Sequence, residues 1–106
     1  MIPPKPSIVR STKWPTLRKK WLKVNPNCRG CNTTSKLQVH HLIPVHLDPT
    51  KELDVTNLIT LCELAGHDCH FHLGHLLDWL AYNPVCPNDS DIYLQKVKNR
   101  PTGGGF

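Results

Sequence analysis

The chain has no long apolar run: no stretch of its 106 residues has the length and hydrophobicity of a membrane span or a signal-peptide core. A cytoplasmic, reducing setting without a membrane partner is therefore expected. Apolar residues are sparse, at 39% of the chain alongside 10 prolines. A domain this small buries a modest core, so metal or disulfides should assist it. Disulfides fit poorly, because the five cysteines are an odd number and Cys28-x2-Cys31 has the spacing of metal-binding thiolates. Acidic residues are also in short supply, 8 against 13 lysines and arginines, for a net charge of +5. The excess gathers early, at Lys5, Arg10, Lys13, Arg18, Lys19, Lys20, Lys23 and Arg29. That asymmetry favours a polyanionic partner, nucleic acid first, although a merely solvated helix face carries the same charges. No internal repeat or domain boundary is visible. Residues 1–9 read as a flexible proline-rich arm, 10–100 as one domain and 101–106 as a flexible glycine tail.

Local patterning predicts a small α+β fold. Ser11 or Thr12 is placed to cap a helix that tolerates Pro15 in its first turn. Trp14, Leu17 and Trp21 recur at helical spacing, Leu22 and Val24 widen the stripe, and the helix should end near Asn25-Pro26. Its opposite face presents Lys13, Arg18, Lys19, Lys20 and Lys23. Cys28-Arg29-Gly30-Cys31 reads as a tight knuckle in which Gly30 supplies the turn. Two short strands follow, Leu37 to Ile43 (stopped by Pro44) and Asn57 to Cys62, with a polar loop between them. Leu73, Leu76, Leu77 and Leu80 suggest a helix over 73–81. A short last helix over 89–99 would be capped by Asp89 or Ser90 and stopped by Pro101.

Two cysteine pairs about thirty residues apart are what a closed tetrahedral zinc site requires, so Cys28, Cys31, Cys62 and Cys69 are its expected ligands. The second pair is irregular, with six residues between its cysteines, and His67 in that insertion is an alternative ligand. Cys86, flanked by prolines, reads as a spare reduced thiol in a loop. Such a site leaves His40, His41, His70, His72 and His75 unassigned. Seven histidines are too many for core filler. Neutral imidazole serves either as a ligand for a divalent ion or as a general base, and the adjacent pair His40-His41 suits metal-assisted hydrolysis. Neighbours on a strand point to opposite faces. Both therefore serve one site only if substrate lies across the strand end or the chain bends there, as Pro44 permits.

The segments Cys28-x2-Cys31, Val39-His40-His41-Leu42-Ile43-Pro44, Asn57-Leu58-Ile59-Thr60-Leu61-Cys62 and Cys69-His70 occur in an order that resembles the His-Asn-His endonuclease superfamily. The likeness spans residues 10–82 and includes the lead-in from Arg10-Ser11 through Trp14 to Cys28. It implies a ββα-metal motif, a two-stranded antiparallel hairpin plus a helix around one catalytic divalent ion, braced by structural Zn²⁺. It further implies that His41 is the general base and that Asn57 fixes the loop between the strands and so orients His41. His40 would bind the ion, at a position where many members carry aspartate and the nuclease bacteriocins histidine. His70 would be a second ligand.

A third imidazole ligand is less regular. Bacteriocin-like sites use histidines four apart, but the residue four after His70 is Gly74. On an ideal helix His70 and His75 lie about 140° apart, and His72 and His75 about 60°. His75 is the expected third ligand on the view that the helix begins after His70, with His72 in reserve; His72 and His46 equally suit solvent or phosphate. The activity implied is hydrolysis of DNA, duplex in the first instance, with Mg²⁺, Mn²⁺, Ni²⁺ or Zn²⁺ as the catalytic ion. The basic helix would hold the phosphate backbone without reading sequence. The competing expectations are a non-catalytic zinc-ribbon module that binds DNA, and an RNA-directed or toxin nuclease. Phage packaging, mobile-element and restriction roles all use domains of this kind.

Overall fold

The computed structural model describes residues 10–103; the expected arm over residues 1–9 and the end of the glycine tail lie outside the described residues. Helix α1 (Trp14–Val24) is followed by β1 (Leu37–His41) and β2 (Leu58–Cys62), a π-helical turn (His70–Gly74), and helix α2 (Cys86–Lys98). The strands pair antiparallel, Leu37 opposite Cys62 and His41 opposite Leu58. The result is a small α+β fold built on a two-stranded sheet. Among the described residues no helix is long and apolar enough to cross a membrane.

Each face of this narrow sheet has its own cluster. Trp14, Val39 and Leu58 are buried together, with Leu17, Trp21 and Leu22 packed against them, so α1 covers one face through its tryptophan stripe. The Trp21 indole also donates to Thr60 Oγ1 (2.9 Å). Val24 does not widen that stripe; it is exposed beside the C-cap. On the other side Ile59 and Leu61 join Cys28, Cys62, Cys69 and Cys86, with Leu73 partly buried against them. Fully burying a branched aliphatic side chain is worth roughly 1.5–3 kcal/mol. Two clusters of this size leave much for the cysteines to do.

Several expectations over the elements are corrected. Lys13 is the N-cap of α1 and makes no side-chain capping bond, whereas Ser11 Oγ accepts from Lys13 N two residues on. Both strands are shorter than expected, because Leu42 and Asn57 already belong to the connection. That connection contains two 3₁₀ turns, Pro49–Lys51 and Val55–Asn57, whose Asp48 and Asp54 side chains accept from Thr50 N and Thr56 N. The helix expected over 73–81 is absent. Leu76 and Leu77 have left-handed backbones (φ 53° and 69°), which interrupt any right-handed helix, and Leu76, Leu77 and Leu80 are exposed. The buried Asn83 closes this segment, donating from Nδ2 to Leu73 O (3.0 Å) and from N to Gly74 O (3.0 Å). Helix α2 begins at Cys86, earlier than expected, with a proline in its first turn. Ser90 and Asp89 therefore sit inside it: Ser90 is buried against Cys86, and Asp89 accepts from Asn83 Nδ2 (2.8 Å).

Candidate metal centres

Among the described residues, two separate groups of side chains could hold a metal ion. In the first, Sγ atoms of Cys28, Cys31, Cys62 and Cys69 all lie within 4.8 Å of one another. Cys31 and Cys62 are 3.7 Å apart, and all five cysteines are free thiols. A tetrahedral zinc with bonds of about 2.3 Å separates its sulfurs by about 3.8 Å, so the spacing suits an ion and not a disulfide. The knuckle closes because Gly30 has no side chain: a Cβ there would lie 2.6 Å from Leu73 Cδ1 and 3.1 Å from Cys69 Sγ. The left-handed residue of this knuckle is Asn32 (φ 68°), so Gly30 is required for room and not for the turn. The irregular second pair is accommodated by Gly66 (φ 84°) and Asp68 (φ 45°), with His67 N and Asp68 N both donating to Leu64 O. His67 stays outside the group of four, its Nδ1 3.2 Å from Cys31 Sγ.

The electrostatics of the thiols favour a cation. Donation from the Cys69 thiol, aided by the amides of Cys31, Gly30 and Cys62, pulls Cys28 down to about 5 against the effect of burial. Burial, then the charge of Cys28, pushes Cys31 up to about 11. The Cys69 thiol, donating to Cys28 and buried, is also held up. One thiolate forms readily and opposes the next, which is the donor chemistry a divalent cation relieves by displacing the remaining protons. Cys86 is not a loop thiol: it is fully buried at the start of α2, and burial raises its pKa.

The second group is His40, His70 and His75, again with ligand atoms within 4.8 Å. His70 Nε2 is 3.1 Å from His40 Nδ1. Two nitrogens sharing a tetrahedral zinc sit about 3.3 Å apart. His70 Nδ1 donates to Glu63 Oε2 (3.1 Å), and His75 Nδ1 donates to the Ala81 carbonyl (2.8 Å), so each neutral ring carries its lone pair at Nε2. The angle that separates His70 from His75 on an ideal α-helix does not apply here. The backbone winds as a π-turn, whose i→i+5 hydrogen bonds widen each turn and bring residues five apart closer to one side than an α-helix does. Gly74 permits this, since a Cβ there would meet three atoms of the His40 ring at 3.1–3.2 Å. Trp79 walls the group, its ring centroid 4.9 Å from that of His75 and 5.4 Å from that of His70. His72 is exposed and outside the group.

His41 lies across β1 from His40, stacked on Trp14 with ring centroids 4.6 Å apart. Its Nε2 donates to the Glu52 carbonyl (2.8 Å), which puts the lone pair at Nδ1, 3.4 Å from Arg10 Nη1. Burial holds this imidazole below the ordinary histidine value; the Glu52 carbonyl opposes the shift and the Arg10 charge adds to it. Asn57, buried, ties the strand connection: Oδ1 accepts from Ile43 N (2.8 Å), while Nδ2 donates to Ile43 O (3.1 Å) and Lys51 O (3.3 Å). The Asn57 carbonyl also accepts from Leu42 N (2.8 Å). Although strand alternation sends His40 and His41 to opposite faces, one cleft of about 180 Å³ at the strand end is lined by both, with His70, His75, Trp79, Arg10 and Pro44. Sites that enclose a drug-sized ligand run roughly 300–1,000 Å³. This cleft suits a smaller group presented from outside.

The cations of α1 differ in their surroundings. Lys13, Lys19, Lys20 and Lys23 are exposed, whereas Arg18 donates to Gln38 Oε1 (3.2 Å) and Leu37 O (3.4 Å) and so braces β1. Sequence patterning does not single out Arg10 and Trp79 as lining the cleft, nor Glu52 and Glu63 as the partners of His41 and His70. Only Glu63 carried a signal, as an acidic residue directly after a knuckle cysteine. Compared with known protein families, curated proteins and solved structures, the chain matches none of them.

Proposed function

We propose that this protein is a metal-dependent endonuclease of the His-Asn-His type that hydrolyses phosphodiester bonds in DNA. The observation that carries the reading is the meeting, at one cleft, of three imidazoles able to share an ion with a fourth whose lone pair is directed by a backbone carbonyl. In this reading β1, β2 and the π-turn form the ββα-metal motif, with the π-turn in place of the usual helix. The four thiols hold the structural Zn²⁺.

His41 takes a proton from the attacking water at Nδ1, because Nε2 is committed to Glu52 O, and the same carbonyl stabilises the imidazolium that results. Its lowered pKa keeps it neutral, and so basic, at neutral pH. Asn57 fixes the connection that carries Glu52, and so holds His41 in register. His40, His70 and His75 would hold a divalent ion, whose chemistry there would be to offset the charge on the scissile phosphate and the leaving 3′ oxygen. Lys13, Lys19, Lys20 and Lys23 hold the backbone of the nucleic acid without reading its sequence. By the family resemblance the ends produced are 5′-phosphate and 3′-hydroxyl.

Purified protein should nick or linearise supercoiled plasmid with Mg²⁺, Mn²⁺ or Ni²⁺. His41→Ala should lower the rate about 10²–10⁴-fold, the usual contribution of a positioned base, with metal content unchanged. A folded, zinc-loaded protein inert toward duplex DNA, single strands and RNA with every ion would leave a DNA-binding module as the better reading.

A further inference from the structure

The two metal centres are joined by a pair of dipeptides. In Cys62-Glu63 and Cys69-His70 the cysteine belongs to the thiol group, and its neighbour reaches the imidazole group. Cys62 ends β2, and Glu63 N continues the ladder by donating to Lys36 O (2.7 Å), so the backbone of Glu63 is held in register. Side chains alternate along a strand, which sets Glu63 on the face of Ile59 and Leu61. Ile59 is the partner of His40 across the sheet, so this is also the face of His40. There Glu63 Oε2 meets Nδ1 of His70, a side chain only 7% exposed.

We infer that Glu63 is a positioning residue for the imidazole site: it fixes the His70 ring with Nε2 toward the ion, and carries the rigidity of the thiol centre to the second metal site. A carboxylate on the far nitrogen of a ligating histidine sets its tautomer and raises its basicity, and removing such a partner typically costs 10–100-fold in metal affinity. The inference rests on the reading of His40, His70 and His75 as a metal site.

The test is calorimetric titration of Ni²⁺ into the 106-residue protein loaded with one equivalent of zinc. Glu63→Ala should weaken the second site about 10–100-fold. Glu63→Gln should recover most of the loss, because its amide oxygen accepts from the same N–H. Wild-type affinity in Glu63→Ala would overturn the inference, as would a wild-type protein that takes no second ion. A wild-type protein that binds the second ion yet cleaves no nucleic acid would sink the nuclease reading alone, and the affinity ratio would still decide the role of Glu63. Should Glu63→Ala fail to fold, ¹⁵N NMR of the wild type decides: an Nδ1-protonated His70 supports the inference and an Nε2-protonated ring refutes it.

Discussion

The thiol group and the imidazole group are linked by adjacent residues, yet they differ in ligand number and in what surrounds them. The four sulfurs are packed into the hydrophobic cluster of β2, with Cys28, Cys62 and Cys69 almost wholly buried. The imidazoles line a cleft open to solvent and share it with His41. A closed four-ligand site has no position for substrate, whereas three ligands leave one. Both groups are largely buried, so on the reading proposed above it is ligand count and access to the cleft, not burial, that would separate a centre holding the fold from one able to do chemistry.

Breaking each centre in turn should give the largest contrast. In a domain with so small a core, metal binding is folding free energy. Cys69→Ser should therefore abolish the cooperative thermal transition followed by circular dichroism. His40→Ala should melt as a folded protein and lose only the second equivalent of metal by elemental analysis. A Cys69→Ser protein melting with the wild type would show that the thiols are not structural.

A smaller, sharper contrast uses the two crowded glycines. An alanine at Gly30 would press on Cys69 and Leu73, and overpacking of this kind costs about 1–3 kcal/mol. At Gly74 the obstacle is the His40 ring, so Gly74→Ala should weaken the second metal by about tenfold while the melting temperature changes less than in Gly30→Ala. Equal effects of both substitutions on melting and on affinity would mean that the two centres do not behave as separate units.

How much of this was legible in the sequence follows from the range of each interaction. The cysteine spacing, the tryptophan stripe and the two strands are local patterns, and each corresponds to an observed element. Ideal helical geometry sets His75 apart from His70, and the π-turn that brings it to His70 and His40 depends on Gly74 and Asn83, contacts that no 3.6-residue period encodes. The leucines at 76, 77 and 80 mimic a helical face, but His75 Nδ1 bonding to Ala81 O and Asn83 bonding to the turn pull the chain into a loop instead. Arg10 joins the cleft through packing against His41, 31 positions away, which its neighbours in sequence do not reveal.

The smallest expected effect concerns how the thiol side is fastened to the rest of the fold. Arg29, inside the first knuckle, grips Asp91 on α2 with two hydrogen bonds, Nε to Oδ1 at 2.6 Å and Nη2 to Oδ2 at 2.9 Å. The pair is half-exposed, so a double-mutant cycle of Arg29→Ala and Asp91→Ala should give a coupling of about 0.2–1 kcal/mol. Arg29 holds the Asp91 carboxyl below its ordinary 3.8, so the folded protein binds this proton less readily than the unfolded chain. Its contribution is complete well above the ordinary 3.8 and is lost as pH falls through that value and then the lower folded one. Because protons also compete for the thiolates, the informative quantity is the stability difference between wild type and Asp91→Asn at each pH. That difference should be constant near neutrality, begin to shrink at about pH 5 and keep falling below 3.8. A difference that keeps its neutral value down through pH 3.8 would mean that the carboxyl is not held by Arg29.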